Sequence, residues 1–420
     1  MTNGEWRPGK RIVIAGGGPG AISAALAFIN QGFDVRVYER QQECKPIGGG
    51  VLINIPVLMV LRSYGVSIDN LGAYTVTHFS NQNGDQRVTL PFHAEAQEVS
   101  GIKGWHYGVL RSSLFKKMLD RVPEGIIHTG FEFKSFQEFD DQVHVEFTNG
   151  ETVVADMLVG ADGVRSAVSK QLFGPSGLFH VGIRLYLAWC DYFPGIEPNL
   201  GVIHHSRDVQ ASFFPMMHEG KPGFEWWIVE PSYEGKEVPT DIKGHISDIV
   251  RGFSHPMSEF IDKTDFDNNV YRWEIYNRPA MKKWSRGRVV CIGDAVHPVS
   301  PYAAYGLGMA VEDGYYLARA LKDVDLRDLQ AVTKSFTKFE GERVDYVNHN
   351  MLFARRLGYI FHKLPWPLSS VRDFFFDHTP LLSLMMSKGY LAKSEQEVMG
   401  LTELFVPPYN TGKPKASSRI

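Results

Sequence analysis

The sequence predicts an α/β fold in which a discontinuous parallel sheet is interleaved with a β-rich region and followed by helices. Short apolar runs that end on glycine or aspartate recur at 11–16, 159–163 and 288–294. Aromatic segments separated by Gly and Pro fill about 175–285, and the chain after 325 has helical character. Buried strands that recur far apart in a chain pair in one sheet when the segments between them form helices or a second layer.

The predicted organisation has three parts, and two of them are interleaved along the chain. They are a first α/β domain from 1–75, 106–172 and 286–325, a β-rich domain from 76–105 and 173–285, and a helical segment at 326–420.

Composition excludes several classes of protein. The chain has 420 residues, of which 44% are hydrophobic and 22% charged, as in ordinary globular proteins with two or three domains. A net charge of -3 gives no support for binding of nucleic acid. Three scattered cysteines do not suit a disulfide framework or a thiolate metal site, so we expect no metal. Without a long apolar run or a signal peptide, we expect a cytoplasmic protein with no transmembrane segment.

The N-terminal elements follow a β-α-β order. RIVIAG (11–16) and DVRVYER (34–40) are strand-like runs on either side of the helical segment AISAALAFINQG. Pro56 opens a further helix that Gly65 ends.

Later turn and helix signals complete the first half of the chain. Asn83-Gly84 predicts a hairpin, and RSSLFKKMLDRV (111–122) predicts an amphipathic helix. Residues 131–163 contain Asn149-Gly150 between β-prone runs and predict an antiparallel meander.

The first β-α-β unit carries a glycine pattern at the turn after its first strand. The pattern G-x-G-x-x-G/A is filled by Gly16, Gly18 and Ala21, with Pro19 and Gly20 between them. Small residues permit the tight turn, the approach of backbone amides to a pyrophosphate, and close helix packing. Glu39 ends the second strand, where a carboxylate can accept hydrogen bonds from a ribose. The unit therefore predicts a Rossmann-like dinucleotide site, and the alternative is a structural turn with an unrelated surface glutamate.

Four markers in order carry a resemblance to a known family. They are AGGGPGA with Glu39-Arg40, Arg111 opening RSSLFKKML, Asp162-Gly163, and Gly293-Asp294 with the loop after it. With these markers the sequence resembles the group A flavin-dependent aromatic hydroxylases, the para-hydroxybenzoate hydroxylase superfamily, over roughly residues 10 to 320. The resemblance implies a Rossmann-like FAD-binding domain with an interleaved β-rich substrate domain.

The resemblance also implies which positions hold FAD. These are Gly16, Gly18, Pro19, Gly20, Ala21, Glu39, Arg40, Gly50, Arg111, Asp162, Gly163, Asp294, Pro301 and Gly306. Glu39 would hold the adenosine ribose, Arg111 would follow the pyrophosphate, and Asp294 would bind the ribityl hydroxyls. Residues 48–50 would run beside the flavin, with a plain flexible loop as the alternative. A helix that begins near Gly306 would direct its positive end at the flavin.

The loop after Asp294 departs from the family pattern P-x-x-G-Q-G-x-N. Pro301 and Gly306 are kept, but Ala304, Tyr305 and Gly308 replace the first Gly, the Gln and the Asn. Tyr305 either lies near the flavin ring or packs in the core.

The implied activity is that of a monooxygenase. NADPH or NADH, binding transiently, would reduce tightly bound FAD, and O2 would then give a flavin C4a-hydroperoxide that hydroxylates or epoxidises an aromatic or unsaturated small molecule. We expect pocket residues among Arg184, Tyr186, His204, Phe214 and Tyr305, with Trp189, His205, Phe213, Met216 and Trp227 as further candidates. His204 and His205 alternate along a strand, so at most one of them faces a ligand.

Three other functions fit the same scaffold. A flavin-dependent halogenase would carry W-x-W-x-I-P, and the nearest segment here, Trp226 to Pro231, does not match it. An FAD-dependent reductase would act without oxygen, and a non-catalytic flavoprotein would only bind its ligand. Substrate identity and oligomeric state are not readable from the residues.

Overall fold

The computed structural model describes residues 6–45, 48–90, 94–104, 106–303, 305–388, 397–398 and 400–401. The helices in this part of the chain are α1 (Pro19–Asn30), α2 (Ile55–Ser63), α3 (Ala94–Ser100), α4 (Arg111–Leu119), α5 (Ala167–Phe173), α6 (Ile242–Val250), α7 (Met257–Lys263), α8 (Gly306–Ala320), α9 (Leu329–His362), α10 (Leu368–His378) and α11 (Leu381–Met386). Two 3₁₀ turns, Gly293–Ala295 and Pro301–Ala303, precede α8.

The strands are β1 (Arg11–Ala15), β2 (Asp34–Glu39), β3 (Gly50–Asn54), β4 (Ala73–Asn81), β5 (Gln86–Thr89), β6 (His106–Leu110), β7 (Ile127–Thr129), β8 (Phe133–Glu138), β9 (Val143–Phe147), β10 (Thr152–Ala155), β11 (Met157–Gly160), β12 (Phe179–Asp191), β13 (Leu200–His205), β14 (Gln210–His218), β15 (Lys221–Pro231), β16 (Val270–Asn277), β17 (Ser285–Arg286) and β18 (Val289–Cys291).

A parallel sheet forms the N-terminal α/β layer and confirms the predicted β-α-β unit. Its order is β17-β18-β11-β1-β2-β7, with only the edge strand β17 antiparallel to its neighbour among the described strands. The strands β1, β11 and β18 are apolar and almost fully buried, as expected for strands covered on both faces. Because the strands are parallel, their carboxyl ends lie at one edge of the sheet.

The predicted meander and hairpin are both present. β8, β9 and β10 form an antiparallel sheet, and β4 pairs antiparallel with β5 across the turn at 81–86. Each turn carries the Asn-Gly pair that indicated it, at positions where Gly84 and Gly150 have φ of +94° and +87°.

A large mixed sheet forms the β-rich layer and includes strands from outside the ranges predicted for the β-rich domain. Its order in the described chain is β16-β12-β15-β14-β13-β4-β6-β3 with β5 beside β4. Strands β3 and β6, which the sequence assigned to the first domain, pair with each other and extend this sheet through β4. Sequence patterns show where strands begin and end, whereas the partner of a strand depends on distant segments.

Two hydrophobic cores flank the large sheet. The main core joins the parallel sheet, α1, α2, α8 and α9, whereas a second core packs one face of the large sheet against α6 and α7. The long helix α9 passes beside the Pro301–Ala303 turn, and α10 and α11 follow it.

The helical character predicted after residue 325 is confirmed for the described residues, and residues 402–420 lie outside them. Among the described helices, none has the length and apolar character needed to cross a bilayer. The cytoplasmic location remains a prediction.

Candidate active site

The turns after four parallel strands meet at the carboxyl edge of the sheet. β1 leads into Gly16, β2 ends on Glu39, β11 leads into Asp162, and β18 leads into Asp294. Gly16 has φ of +104°, and a Cβ placed on it would lie 2.3 Å from the Ala161 carbonyl oxygen. A side chain at Gly16 would therefore force the β1 and β11 turns apart.

The turn after β1 leaves open space at the N-terminus of α1. A Cβ placed on Gly18 would have no heavy atom within 4 Å, and no side chain caps the helix, which has Pro19 in its first turn. Free N–H groups at the start of a 12-residue helix favour an anion at that position. The geometry fits the pyrophosphate that the glycine pattern predicts.

Glu39 is held against the same turn. The Gly17 N–H donates to Glu39 Oε2 at 2.7 Å, and the Gln41 N–H donates to Oε1 at 2.8 Å. Its carboxylate is therefore fixed beside the glycine turn, where it has further lone pairs to offer a ribose. Arg40 is exposed directly after β2.

Gly20 and Ala21 bring helices together. A Cβ on Gly20 would lie 3.2 Å from both the Cβ and the carbonyl oxygen of Ala310, so α1 packs closely on α8 at this point. Ala21 is 1% exposed in the main core.

Asp162 has a structural task that its motif did not reveal. Its carboxylate accepts hydrogen bonds from the Ser166 hydroxyl at 2.5 Å and from the Ala167 and Val168 N–H groups at 2.7 and 3.2 Å. It therefore holds the start of α5. Gly163 has φ of +82° and open space where a Cβ would lie, so a cofactor could approach the backbone there.

Asp294 and Arg111 leave polar groups free for a ligand. The Asp294 side chain is exposed, and among the described residues its carboxylate accepts no hydrogen bond. Desolvation by the surrounding protein raises its pKa, offset in part by His297 and Arg111. Arg111 lies 4.7 Å from the ring of Trp273, and its buried Nε has no partner in the described part of the chain. These groups fit the hydroxyls and phosphates of FAD.

Glu225 is a carboxyl group in this site that the sequence reasoning missed. It lies on β15, is 2% exposed, and its Oε1 would lie 2.5 Å from a Cβ on Gly49. Burial raises its pKa to about 8, and hydrogen bonding from the Gly50 N–H and the charge of Arg111 lower it by less. The sequence feature that could have identified Glu225 is an acidic residue within the aromatic segment FEWWIVE. A charged group on the buried face of such a strand has few polar partners, so its position there is unusual.

A buried charged network supports the loop that precedes α8. Asp313 accepts hydrogen bonds from the Gly293 N–H at 3.0 Å and from Arg343 Nε at 3.0 Å, and it pairs with His297 Nε2 at 2.5 Å. His297 is therefore a structural partner in this network. The Tyr305 hydroxyl donates to Glu312, so of the two alternatives for Tyr305 the structure favours core packing. α8 begins at Gly306, as expected.

A mostly apolar cavity lies between the large sheet, the Pro301–Ala303 turn and α9. It is lined by Leu52, Phe79, Ile203, His205, Gln210, Trp227, Val229, Pro301, Tyr302, Leu357 and Phe361. Of the candidates proposed from the sequence, His205 and Trp227 line this cavity.

Arg184 and Tyr186 are absent from the lining of this cavity. The Arg184 guanidinium is fully buried and donates to Glu274 Oε1 at 2.6 Å and to two backbone carbonyls. Tyr186 packs in the second core, with its hydroxyl donating to Glu230. Both side chains are occupied by the protein itself.

His204 and Phe214 are also absent from the cavity lining. The rule that neighbouring strand residues alternate holds, but the residue that faces the cavity is His205 and not His204. His204 lies beside Phe213 and bonds the Asn81 carbonyl at 3.3 Å. Phe214 packs with Leu52, Leu110 and Met216 in a small cluster.

Comparisons with known proteins agree with this geometry. The FAD binding domain family matches residues 10–347. The 6-hydroxynicotinate 3-monooxygenase of Pseudomonas fluorescens is 27% identical over 361 residues, which cover 82% of this chain and 92% of that enzyme. The chloroplastic zeaxanthin epoxidase of Spinacia oleracea is 28% identical over 351 residues, covering 79% of this chain and 51% of the epoxidase.

The fold is also found among solved structures. Klebsiella pneumoniae HpxO, complexed with FAD and uric acid, superposes with a TM-score of 0.77 at 22% identity and covers 95% of this chain and 97% of its own. The match to the FAD-binding family spans most of the chain, and the named relatives are monooxygenases. The chain therefore belongs to the group A flavin-dependent monooxygenases, FAD enzymes that hydroxylate or epoxidise aromatic or unsaturated small molecules.

Proposed function

We propose that this enzyme inserts one atom of O2 into a small, planar and uncharged aromatic or unsaturated compound bound in the cavity beside Pro301. NADPH or NADH is the electron donor. The observation that carries the proposal is the chemistry of the cavity lining, in which no Lys, Arg, Asp or Glu takes part among the described residues. An ionised substrate would therefore be buried without a counter-ion.

Polar atoms without partners give the cavity a hydrogen-bonding side. Gln210 Oε1 and the Tyr302 hydroxyl have no hydrogen-bond partner within the described residues, and the His205 ring nitrogens have none of good geometry there. Burial lowers the pKa of His205 well below its usual value, and the charges of His362, Arg87 and Arg372 lower it further. The Gln210 side chain lies close enough to raise the pKa of His205 slightly. The imidazole is therefore neutral, with one donor and one acceptor. It suits a hydroxyl, carbonyl or ring N–H on the substrate.

The volume of the cavity favours a small ligand. It measures about 50 Å³, which is less than the roughly 150 Å³ cavity that admits benzene in another protein. We therefore expect a lining side chain such as Tyr302 to move when a ring binds. The apolar wall of Leu357, Phe361 and Trp227 then excludes water from the reacting atoms.

The cofactor and the protein have separate parts in the reaction. Bound FAD supplies the redox chemistry, while the protein holds the cofactor through the turns after β1, β11 and β18. His205 orients the substrate and accepts a hydrogen bond from a phenolic hydroxyl, which increases the electron density of the ring.

The proposal distinguishes this enzyme from its carboxylate-using relatives. The named substrate of the Pseudomonas relative is 6-hydroxynicotinate, a ring that bears a carboxylate. Purified holoenzyme should consume NAD(P)H faster with neutral phenols or hydroxypyridines than with the same rings bearing a carboxylate. Mass spectrometry under ¹⁸O2 should show that the product gains one labelled oxygen atom. Stimulation by the carboxylates alone would contradict the proposal, as would turnover without oxygen.

A neighbouring pair of histidines supplies a matched control for that assay. His205→Leu removes the imidazole from the cavity and should raise KM about tenfold, the size expected for one buried hydrogen bond. His204→Leu alters the other side of the same strand and should leave KM unchanged. Equal effects of the two substitutions would place the substrate elsewhere.

A further inference from the structure

Helix α10 exposes most of its large apolar side chains to solvent, unlike a typical helix that packs on a protein core. Its buried residues are Ser369, Arg372 and Phe376. Its exposed residues include Ser370, Asp377 and His378, and four large apolar ones: Leu368 at 53%, Val371 at 49%, Phe374 at 58% and Phe375 at 45%. Surface helices normally place apolar residues toward the core, so the outward side of α10 indicates contact with something other than water.

The exposed apolar surface continues onto the neighbouring segments. Trp366 is 71% exposed, Leu381 is 40% and Leu384 is 51%. Together, Trp366, Leu368, Val371, Phe374, Phe375, Leu381 and Leu384 form what we call the apolar C-terminal face.

Buried polar contacts fix α10 in this orientation. Arg372 donates to the carbonyl oxygens of Ile360 and Phe361 at 2.8 and 3.0 Å, which ties the inner side of α10 to the end of α9. Arg87 on β5 pairs with Asp373 at 3.2 Å and with Asp377 at 2.6 Å. Rotating the helix to hide its phenylalanines would break these contacts, so the outward phenylalanines belong to the folded state.

The charges around this face are mainly positive. Arg356 and Lys363 are exposed at the end of α9, next to Tyr359, which is 55% exposed. The two acids on α10 are the ones that Arg87 neutralises, and the Arg87 side chain is only 3% exposed. Tryptophan, phenylalanine and leucine near basic residues that have no ion pair within the described part of the chain are typical of a surface that inserts into a membrane interface.

We propose that the apolar C-terminal face binds the surface of an anionic lipid bilayer. Trp366, Phe374 and Phe375 enter the interfacial layer, while Arg356 and Lys363 contact the lipid headgroups. A second copy of this chain fits less well, because the two acids of α10 already pair with Arg87 and are not free to pair with Arg356 and Lys363 of another copy. Arg356 and Tyr359 are exposed on α9, and the buried residues of the same helix include Leu357 and Phe361 of the cavity.

Sedimentation of the full-length holoenzyme with vesicles tests this proposal. The enzyme should bind phosphatidylserine-containing vesicles about tenfold more tightly than vesicles of phosphatidylcholine alone, since basic residues near an anionic surface add to apolar insertion. Phe374→Ser with Phe375→Ser should weaken binding to both kinds of vesicle by about tenfold. Arg356→Gln with Lys363→Gln should remove only the preference for phosphatidylserine.

A matched control uses exposed aromatic residues elsewhere on the surface. Phe139→Ser with Tyr233→Ser changes side chains that are 41% and 66% exposed, and it should leave vesicle binding unaltered. FAD content and Tm report whether each variant remains folded. Failure of the wild-type enzyme to bind either vesicle overturns the proposal. In that case, a concentration-dependent dimer that the Phe374→Ser, Phe375→Ser variant abolishes would assign the face to a second copy. A monomer with a lowered Tm would assign it to contacts within the chain.

Discussion

Two carboxyl groups near Arg111 differ in their surroundings and therefore in their chemistry. Glu225 is buried beside Gly49 and Gly50 and has a pKa raised to about 8, whereas Asp294 is exposed and free of hydrogen bonds from the described residues. The charge of Arg111 favours the ionised form of both carboxyl groups, and burial lowers the pKa of Arg111 itself. Near neutral pH Glu225 therefore holds a proton, while Asp294 offers acceptor oxygens to the cofactor.

Asp294→Ala tests the role of the exposed carboxylate. The substitution removes acceptors for the ribityl hydroxyls and should weaken FAD binding by about tenfold or more, as expected for charged hydrogen bonds. Flavin absorbance relative to protein absorbance after purification measures the loss. Asp248→Ala, at an exposed position on α6, is the control. A variant at Asp294 that retains full flavin content would contradict the assignment.

Glu225→Gln tests the buried carboxyl through the pH dependence of stability. A folded-state pKa of about 8, against an ordinary value of 4.5, means that the folded protein binds the proton more tightly than the unfolded chain. The wild-type protein therefore loses stability as pH rises from about 4.5 to about 8, and the Gln variant does not share this loss. At pH 8 the variant should be more stable than the wild type by an amount on the order of 4 kcal/mol.

Thermal unfolding of both proteins between pH 5 and pH 9 measures this difference, with values at pH 5 that should nearly coincide. Glu124→Gln, at an exposed position, should show no such trend. Parallel stability curves for the wild type and Glu225→Gln would show that the carboxyl titrates normally.

At the scale of elements, the close contact of α1 with α8 positions the cofactor turns. Gly20 meets Ala310 and Gly314 meets Ala24, so small residues on both helices allow their backbones to approach. The same two helices follow the glycine turn after β1 and the loop after Asp294. Their spacing therefore sets the distance between two parts of the proposed FAD site.

Gly314→Ala tests this contact. A Cβ at Gly314 would lie 2.5 Å from the Ala24 backbone nitrogen, so the helices must separate and the protein should lose roughly 2 kcal/mol of stability. Chemical denaturation measures the change. Gly341→Ala is the matched substitution on α9, where a Cβ has no heavy atom within 4 Å, and it should stabilise the protein by roughly 0.5–1 kcal/mol. Equal effects at the two glycines would show that helix packing is not responsible.

The sequence predicted those helices, strands and turns whose structure depends on residues close together in the chain. The β-α-β unit, the two Asn-Gly turns and the start of α8 at Gly306 follow from residues within a few positions of each other. Asp162 was harder to interpret, because a carboxylate after a buried strand suits both a cofactor contact and the start of the next helix. Here it accepts from the Ala167 and Val168 N–H groups of α5, beside the N-cap residue Ser166.

At the scale of the whole molecule, FAD joins segments that are far apart in the chain. Its expected contacts come from the turns at Gly18, Glu39, Arg111 and Asp294, which belong to both halves of the described fold. A ligand held by several segments stabilises the folded state as a unit, by about 2.7 kcal/mol when its free concentration is 100 times Kd.

Removal of FAD should therefore lower the Tm of the whole protein in one cooperative transition. Calorimetry of the apoprotein and of the reconstituted enzyme measures the difference, and added FAD should restore the original Tm. Identical transitions with and without FAD would mean that these turns do not share one ligand.

The sequence by itself determined the class of fold and the cofactor, and it predicted the turns that we expect to hold this cofactor. Short-range patterns were sufficient for these predictions, because each residue involved lies next to the strand or helix that positions it. The residues are those of the glycine turn, Glu39, Arg111, Asp162-Gly163 and Gly293-Asp294. Only the tertiary structure decided that His205 faces the cavity instead of His204, that Arg184 is paired with Glu274, and that Glu225 lies against Gly49. Each of these facts depends on which face of a strand is covered by a segment distant in the chain, and alternation along a strand cannot specify that choice.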